Sequence, residues 1–271
     1  MKASGASGRR STLIALASTV VFVVAVAFVV SRSAGWPEVK RAFFNGEVFR
    51  ESLRVIPEAF LVNVRIFLIA EVLILVFALF IAILRSLPGP VFFPLRALAI
   101  AYADLFRGVP TILVIYLLGF GVPALQIAGV PRDELFWGVV ALVLVYSAYV
   151  SEVYRAGIES VHPSQEAAAR SLGLSRAQAL RFVILPQAVR RVMPPLLNDF
   201  IGLQKDTALV GLLGTVEAFR QSQIEVAATF NFTPYLVTAL LFVLLTIPLA
   251  RLTDWLVIRD RRRQLALGLG G

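Results

Sequence analysis

The sequence predicts an all-α membrane protein, a bundle of transmembrane helices, on three observations. Of its 271 residues, 58% are hydrophobic and only 16% charged, with a mean hydropathy of +0.82. A soluble domain has about 45–50% apolar and about 25% charged residues. The apolar residues fall in long uncharged runs, without the strand-length alternation of a membrane β-barrel. The basic residues, which give a net charge of +9, are unevenly shared between the segments joining those runs. This composition excludes a disordered chain, a disulfide scaffold and a water-facing globular enzyme.

The first run, Leu13 to Val30, has eighteen residues. Lys2, Arg9 and Arg10 precede it and small residues (31–34) follow, as in a signal peptide. It is longer than the roughly 7–15 residues of a signal h-region, so it reads as an uncleaved helix. In the next segment, 36–58, Phe43, Phe44, Val48, Phe49, Leu53 and Ile56 recur at helical spacing among charges. That pattern fits an amphipathic helix on the membrane surface, or a loop packed on the bundle. Further runs are Ile66 to Leu84, broken only by Glu71, then Gly108 to Pro131 with Pro110, Leu135 to Ser151, and Phe232 to Ala250 with Pro248. Spanning the hydrocarbon takes roughly 20 helical residues.

The stretch from Pro195 to Glu217 is ambiguous by hydropathy, since it holds Asp199, Lys205 and Asp206 and its uncharged part, Thr207 to Val216, has ten residues. If it crosses, six helices place both termini in the cytoplasm, and fifteen of the 26 Lys and Arg residues lie in cytoplasmic segments against seven outside. If it does not, the Arg-rich C-terminus lies outside, against the positive-inside rule. Trp36, Trp137 and Trp255 all fall at predicted interfaces.

The cytoplasmic loop 158–194 reads as two short helices and a break. Ser164 caps the first, which continues through Glu166, the small face of Ala167, Ala168 and Ala169, then Arg170 and Leu172. Gly173 stops it. Ser175 with Gln178 makes a capping box for the second, and Pro186 and the Pro194–Pro195 pair end that one. His162 reads as a turn residue. Ionisable residues inside a membrane are costly and mark function by default. Glu71, Asp199, Lys205 and Asp206 therefore face the bundle interior, with Thr207 beside them as a possible lining of a pathway. Asp104 and Arg107, three apart, are spaced to pair on one helix face.

No catalytic or metal site is expected. There is no cysteine and one histidine, the residues from which zinc, haem and iron–sulfur sites are mainly built. None of the three lysines, Lys2, Lys40 and Lys205, follows a Walker A pattern, so the chain lacks a P-loop for ATP. Neither a His-Glu-x-x-His nor a Gly-x-Ser-x-Gly motif occurs. The positive charge needs no nucleic-acid partner once the membrane topology accounts for it.

Residues 162–195 resemble the cytoplasmic signature loop of ABC importer permeases, whose pattern is Glu-Ala-Ala, three residues, Gly, nine residues, Ile-x-Leu-Pro. Gly173 and the Leu185–Pro186 end stand in register. The glutamate position falls on Ala167, with Glu166 one residue early. Three further stretches are similar to the polar amino acid subfamily: Phe106–Pro110, Ser151–Arg155 and Leu185–Ala188. The most particular match is Pro194–Phe200 followed by Leu203–Thr207.

The resemblance covers about 59–259 and implies a five-helix type I importer permease core, in which the Pro195–Glu217 stretch begins a membrane helix. The chain then divides into a tail and extra N-terminal helix (1–31), an extracytoplasmic amphipathic segment (32–58), the permease domain (59–259) and a cytoplasmic tail (260–271). It implies that Ser164, Gln165, Glu166, Ala167, Ala168, Ala169, Arg170, Leu172, Gly173, Leu174, Leu185 and Pro186 form a coupling surface. That surface meets a separate ATP-binding cassette ATPase, which carries the ATP and Mg. The other implied partners are a second permease, identical or paralogous, an extracytoplasmic substrate-binding protein and the lipid of a bacterial plasma (inner) membrane. Glu71, Asp199, Lys205, Asp206 and Thr207 are the candidates for a pathway carrying a polar amino acid. The alternative, a stand-alone secondary transporter or channel, calls for inverted repeats or paired broken helices, and the sequence displays no such repeat.

Overall fold

The computed structural model describes residues 4–266, with side-chain surroundings from 11 to 259. The ends of both expected tails, and the side chains of Lys2, Arg9, Arg10 and Arg261 to Arg263, lie outside that description. Every regular element among the described residues is helical.

Helix α1 (Ser4–Ser31) is apolar on every side, and from Ser11 onward it is exposed along its length. An evenly apolar helix with no buried stripe suits lipid rather than a packed core. The segment 36–58 is not one helix. Helix α2 (Trp36–Phe43) ends at Phe44, and Asn45 starts α3 (Gly46–Ser86), its side chain accepting from the N–H groups of Glu47 and Val48. The amphipathic residues from 46 onward are thus the outer turns of a 41-residue helix that passes through Pro57.

Helix α3 is the spine of the bundle. Ile66, Phe67, Ala70, Ile74 and Ala78 recur at spacings of three and four and are buried. Leu68, Ile69, Val72, Leu73 and Val76 on its other side are exposed apolar residues. The buried stripe packs on Ala141, Leu142 and Val145 of α7 (Glu134–Glu159), and Phe67 meets Phe200 edge-on at 4.5 Å. A smaller cluster, Ile56, Phe60, Ala218 and Val237, closes the other end of α3.

The sequence expectation of one helical run from Gly108 to Pro131 is corrected by the structure. The apolar chain begins earlier, as α4 (Phe93–Gly108), and turns by 105° into α5 (Thr111–Tyr116). Pro110 has no N–H to continue a helix, and the residue before a proline is driven out of the helical region. Val109 is accordingly extended (φ −99°, ψ 132°). A π-helical turn (Leu117–Gly121) and the short α6 (Val122–Ala124) complete this arm.

After α7 come α8 (Pro163–Ser171), α9 (Arg176–Ala179), a π-helical turn (Leu180–Ile184) and α10 (Leu185–Asp206). A 3-10 turn (Thr207–Leu213), α11 (Ala218–Thr229) and α12 (Thr233–Ala266) finish the bundle. Four described helices are long and apolar enough to cross a membrane, and the bent α4–α5 arm makes up to five. Helix α10, which carries Arg190, Arg191, Asp199, Lys205 and Asp206, is not among them.

Candidate functional site

The loop between α7 and α10 has the predicted helix–glycine–helix shape. Gly173 takes φ +87°, and the Gly173 N–H bonds the Arg170 carbonyl (3.0 Å) while the Leu174 N–H bonds that of Ala169 (3.2 Å). This is a Schellman C-cap, which a left-handed glycine allows at little cost. The Ser175–Gln178 capping box is present in both directions, at 2.8 and 3.3 Å.

Two details differ from the sequence reading. His162, not Ser164, caps α8: its Nδ1 accepts from the Ser164 N–H at 3.2 Å, with the Ser164 hydroxyl 2.7 Å away. The chain enters α8 through Pro163, whose fixed φ places it in the first turn and makes the preceding residue the cap. Second, Pro186 and Pro194–Pro195 do not end the helix. Pro186 falls in the first turn of α10, just after a π turn in which the Leu185 N–H reaches back to Leu180. A wider turn accommodates a residue that cannot make an i→i−4 bond. Gln187 reinforces it by donating from its side-chain amide to the Val183 carbonyl at 3.0 Å.

Ala169 and Ala179 are the buried seam between the two short helices, whereas Ala167, Ala168 and Leu172 face outward, Leu172 being 85% exposed. Glu166 lies 3.7 Å from the Arg176 Nε across the break. Both flanks of the loop are tied together. A Cβ on Gly157 of α7 would stand 2.0 Å from Val192 Cγ1 of α10, so the Val192 side chain packs directly on the Gly157 backbone. Arg191 also donates to the Ser160 carbonyl at the end of α7.

Beside that seam, the Glu152 carboxylate gathers arginines from three helix ends. It accepts from Arg85 of α3 at 2.6 Å and from Arg155 one turn along α7, and Arg107 of α4 lies 3.9 Å away. The expected pairing of Arg107 with Asp104 is therefore corrected, since Arg107 turns toward α7, its guanidinium 5.9 Å from the Tyr149 ring.

The five pathway candidates separate. Glu71 and Asp199 lie within electrostatic reach of one another, Glu71 also of Tyr154. The Asp199 Oδ2 is shielded and has no hydrogen-bond donor. Asp206 accepts from the Tyr146 hydroxyl at 2.9 Å. Lys205 lies in a different cleft, of about 320 Å³, with Phe219, Tyr235 and Phe242. Thr207 is fully buried, donating to the Gln204 carbonyl (2.8 Å) and accepting from the Asn63 amide (3.2 Å).

That last contact leads to a node the sequence reading missed. Glu217, with no exposed surface, caps α11 by accepting from the N–H groups of Phe219 (2.9 Å) and Arg220 (2.7 Å). Asn63 donates to its Oε2 at 2.9 Å and accepts from the Ala218 N–H at 3.0 Å. A buried carboxylate is held by three donors, as burial of charge demands. A glutamate directly ahead of a helix was the available signal; its partner, 154 residues away, was not readable.

Long apolar helices around an apolar core that also holds a buried polar node, with an exposed helix–glycine–helix loop strapped between two of them, fit a multi-pass membrane component. The comparisons with known proteins agree and sharpen it. The binding-protein-dependent transport system inner membrane component family matches residues 11–262, and the chain belongs to that family. It is 38% identical over 161 residues to the probable glutamine ABC transporter permease protein GlnM of Bacillus subtilis, covering 59% of this chain and 73% of that one. To the probable glutamine permease protein GlnP of the same organism it is 32% identical over 203 residues, covering 73% and 90%. Its fold matches that of a chain from the crystal structure of an amino acid ABC transporter with histidines (30% identity, TM-score 0.70, covering 77% of this chain and 95% of that one). The inward-facing MetNI methionine ABC transporter, at 17% identity and TM-score 0.61, shares the fold.

Proposed function

We propose that this chain is the permease subunit of an ATP-driven importer that moves a polar amino acid by alternating access. The observation that carries the reading is the strapped loop. Ala167, Ala168, Leu172 and the α8–α9 break are exposed, while α7 and α10 on either side are locked through Gly157–Val192 and Arg191–Ser160. A push on α8 or α9 therefore reaches both core helices together. Glu71 and Asp199 lie on those helices and their neighbour α3, at the interior face where a pathway belongs.

In this reading a cytoplasmic ATPase of the ATP-binding cassette class docks on Ser164 to Pro186 and carries ATP and Mg. A second permease completes the pathway and an outer binding protein delivers substrate. Helix α10 crosses the bilayer with its charges turned inward, and both termini are cytoplasmic in a bacterial inner membrane. Twenty-two residues at 1.5 Å rise make about 33 Å, enough for the hydrocarbon. The amino-acid substrate is supported by the named relatives, glutamine permeases among them.

The test is uptake of radiolabelled glutamine and arginine into proteoliposomes holding the chain with its ATPase and binding protein. Uptake that requires ATP inside and the binding protein outside is expected. Uptake by the chain alone on an ion gradient overturns the reading in favour of a secondary transporter.

A further inference from the structure

Helix α2 (Trp36–Phe43) belongs neither to the coupling loop nor to the interior, and its neighbours set its depth. Only residues 32–35 separate it from α1, the helix that suits lipid along its whole described length. At its other end it is bonded to the turn that opens α12. Asn231 donates from its side-chain amide to the Arg41 carbonyl (2.8 Å), the Phe232 N–H to that of Ala42 (2.7 Å), and the Asn45 N–H to the Thr233 hydroxyl (3.1 Å). Phe43 stacks on Phe232 with ring centres 5.1 Å apart. Phe232 opens the apolar run of α12. Both ends of α2 thus meet the ends of membrane-length apolar helices, and its eight residues, about 12 Å long, run along that boundary.

The two faces of α2 differ. Trp36, Val39 and Phe43 recur at spacings of three and four, whereas Glu38 and Arg41, paired at 2.5 Å, lie on the other side. No residue of α2 is buried, and Val39, Phe43 and the following Phe44 are exposed. The turn that α2 grips presents one more bare ring. Phe230 is 88% exposed although its backbone is left-handed (φ +52°), a conformation costly to any residue with a bulky side chain. A strained turn that holds an aromatic ring outward fits a surface that covers the ring. Arg32, Lys40 and Arg41 outnumber Glu38 along this segment, which complements the phosphates of a lipid surface. We infer that α2 and the Phe230 turn form one unit seated in the phospholipid headgroup layer, in the leaflet that α1 leaves and α3 enters. Val39, Phe44 and Phe230 reach the acyl boundary, as aromatic and apolar residues do at interfaces, while Arg32 and Lys40 meet the phosphates. The unit pins the start of α12 to the bilayer surface. It requires that α1 and α12 cross the membrane and does not depend on the transport reading.

The chain has no cysteine, so single nitroxide labels can report depth. They are placed by Val39→Cys, Phe44→Cys and Phe230→Cys, with Glu38→Cys as the control on the opposite face. Each labelled chain is assembled with cysteine-free partner subunits in nanodiscs of phosphatidylethanolamine and phosphatidylglycerol, and is first shown to elute as wild type on size-exclusion chromatography. Collision with dissolved oxygen, compared with a water-soluble nickel chelate, gives the depth. The labels at 39, 44 and 230 are expected about 5–10 Å below the phosphates and the label at 38 in water. Adding the outer binding protein should leave all four where they are. Labels at 39, 44 and 230 that stay in water overturn the inference, and so does a label at 38 as deep as the others. Labels in water that become shielded only when the binding protein is added also overturn it, and make this face a protein-docking surface instead. Phe230→Asn keeps the left-handed turn without its ring, and should move the label at 44 toward water; an unmoved label separates Phe230 from the unit. A complex without ATP-driven uptake overturns the transport reading and leaves these depths standing.

Discussion

The loop from His162 to Pro186 and the node around Glu217 are built on opposite principles. In the loop, the defining contacts join residues two to five apart: His162 with Ser164, Leu174 with Ala169, Ser175 with Gln178. In the node, Asn63 reaches Thr207 and Glu217 across 144 and 154 residues, and every member is buried. A locally specified, exposed element can keep its shape while moving as a unit against a partner. A long-range buried node fixes α3, the 3-10 turn and α11 to one another, and it cannot change without loosening all three. Damage to the first is expected in coupling and local order, damage to the second in stability.

Four substitutions probe that contrast. Glu217→Ala strands the Asn63 amide and the N–H groups of Phe219 and Arg220, and should cost about 3 kcal/mol of stability. Its thermal unfolding in detergent should drop far below wild type; an unchanged transition removes the node from the account. Gly157→Val drives a stiff side chain into Val192 Cγ1, at a cost of about 2 kcal/mol. Adding Val192→Ala should recover most of the loss, and failure to do so would mean the seam is not what the glycine protects.

Ser175→Ala removes a cap worth about 1 kcal/mol. Because the contacts of the loop are local, it can open without the bundle, so global unfolding should hold steady while amide exchange over residues 176–184 quickens by about fivefold. A global shift of the same size would erase the distinction between loop and node. The smallest effect belongs to Gly173→Asn. Nothing lies within 4 Å of a Cβ there, and Asn tolerates the left-handed region. Stability and uptake should stay within about twofold of wild type, as read from paired melting and transport assays.

How much of this the sequence disclosed follows the same line. Gly173 and the Ser175–Gln178 box were legible because their partners are a few residues away. The membrane class was legible because composition is a property of the whole chain. Helix α4 was not: its sixteen residues lie between proline-rich turns and carry Arg96, Asp104 and Arg107, so the apolar run seemed to begin only at Gly108. Serine is the commoner cap and points to Ser164, yet Pro163 decides the start of α8 and leaves His162 as the cap.

The pathway candidates separate for a geometric reason. Asp199 and Asp206 are seven residues apart and share a face of α10, while Lys205 is rotated by about 100° from Asp206 and opens on another cleft. Thr207 lies past the end of α10, where the chain tightens into the 3-10 turn and turns its hydroxyl into the node. Adjacency in sequence grouped these residues; helical rotation divides them.

The central claim is that the α8–α9 loop transmits ATP-driven motion to α7 and α10, and Gly173→Val tests it most directly. A β-branched residue at φ +87° costs about 1–3 kcal/mol locally and breaks the Schellman turn while leaving the buried node untouched. ATP hydrolysis and ATP-driven uptake are measured together in proteoliposomes holding the whole complex. The account predicts that hydrolysis persists while uptake falls at least tenfold, with Gly173→Asn close to wild type. Uptake that stays at the wild-type level in a properly assembled Gly173→Val complex would contradict it.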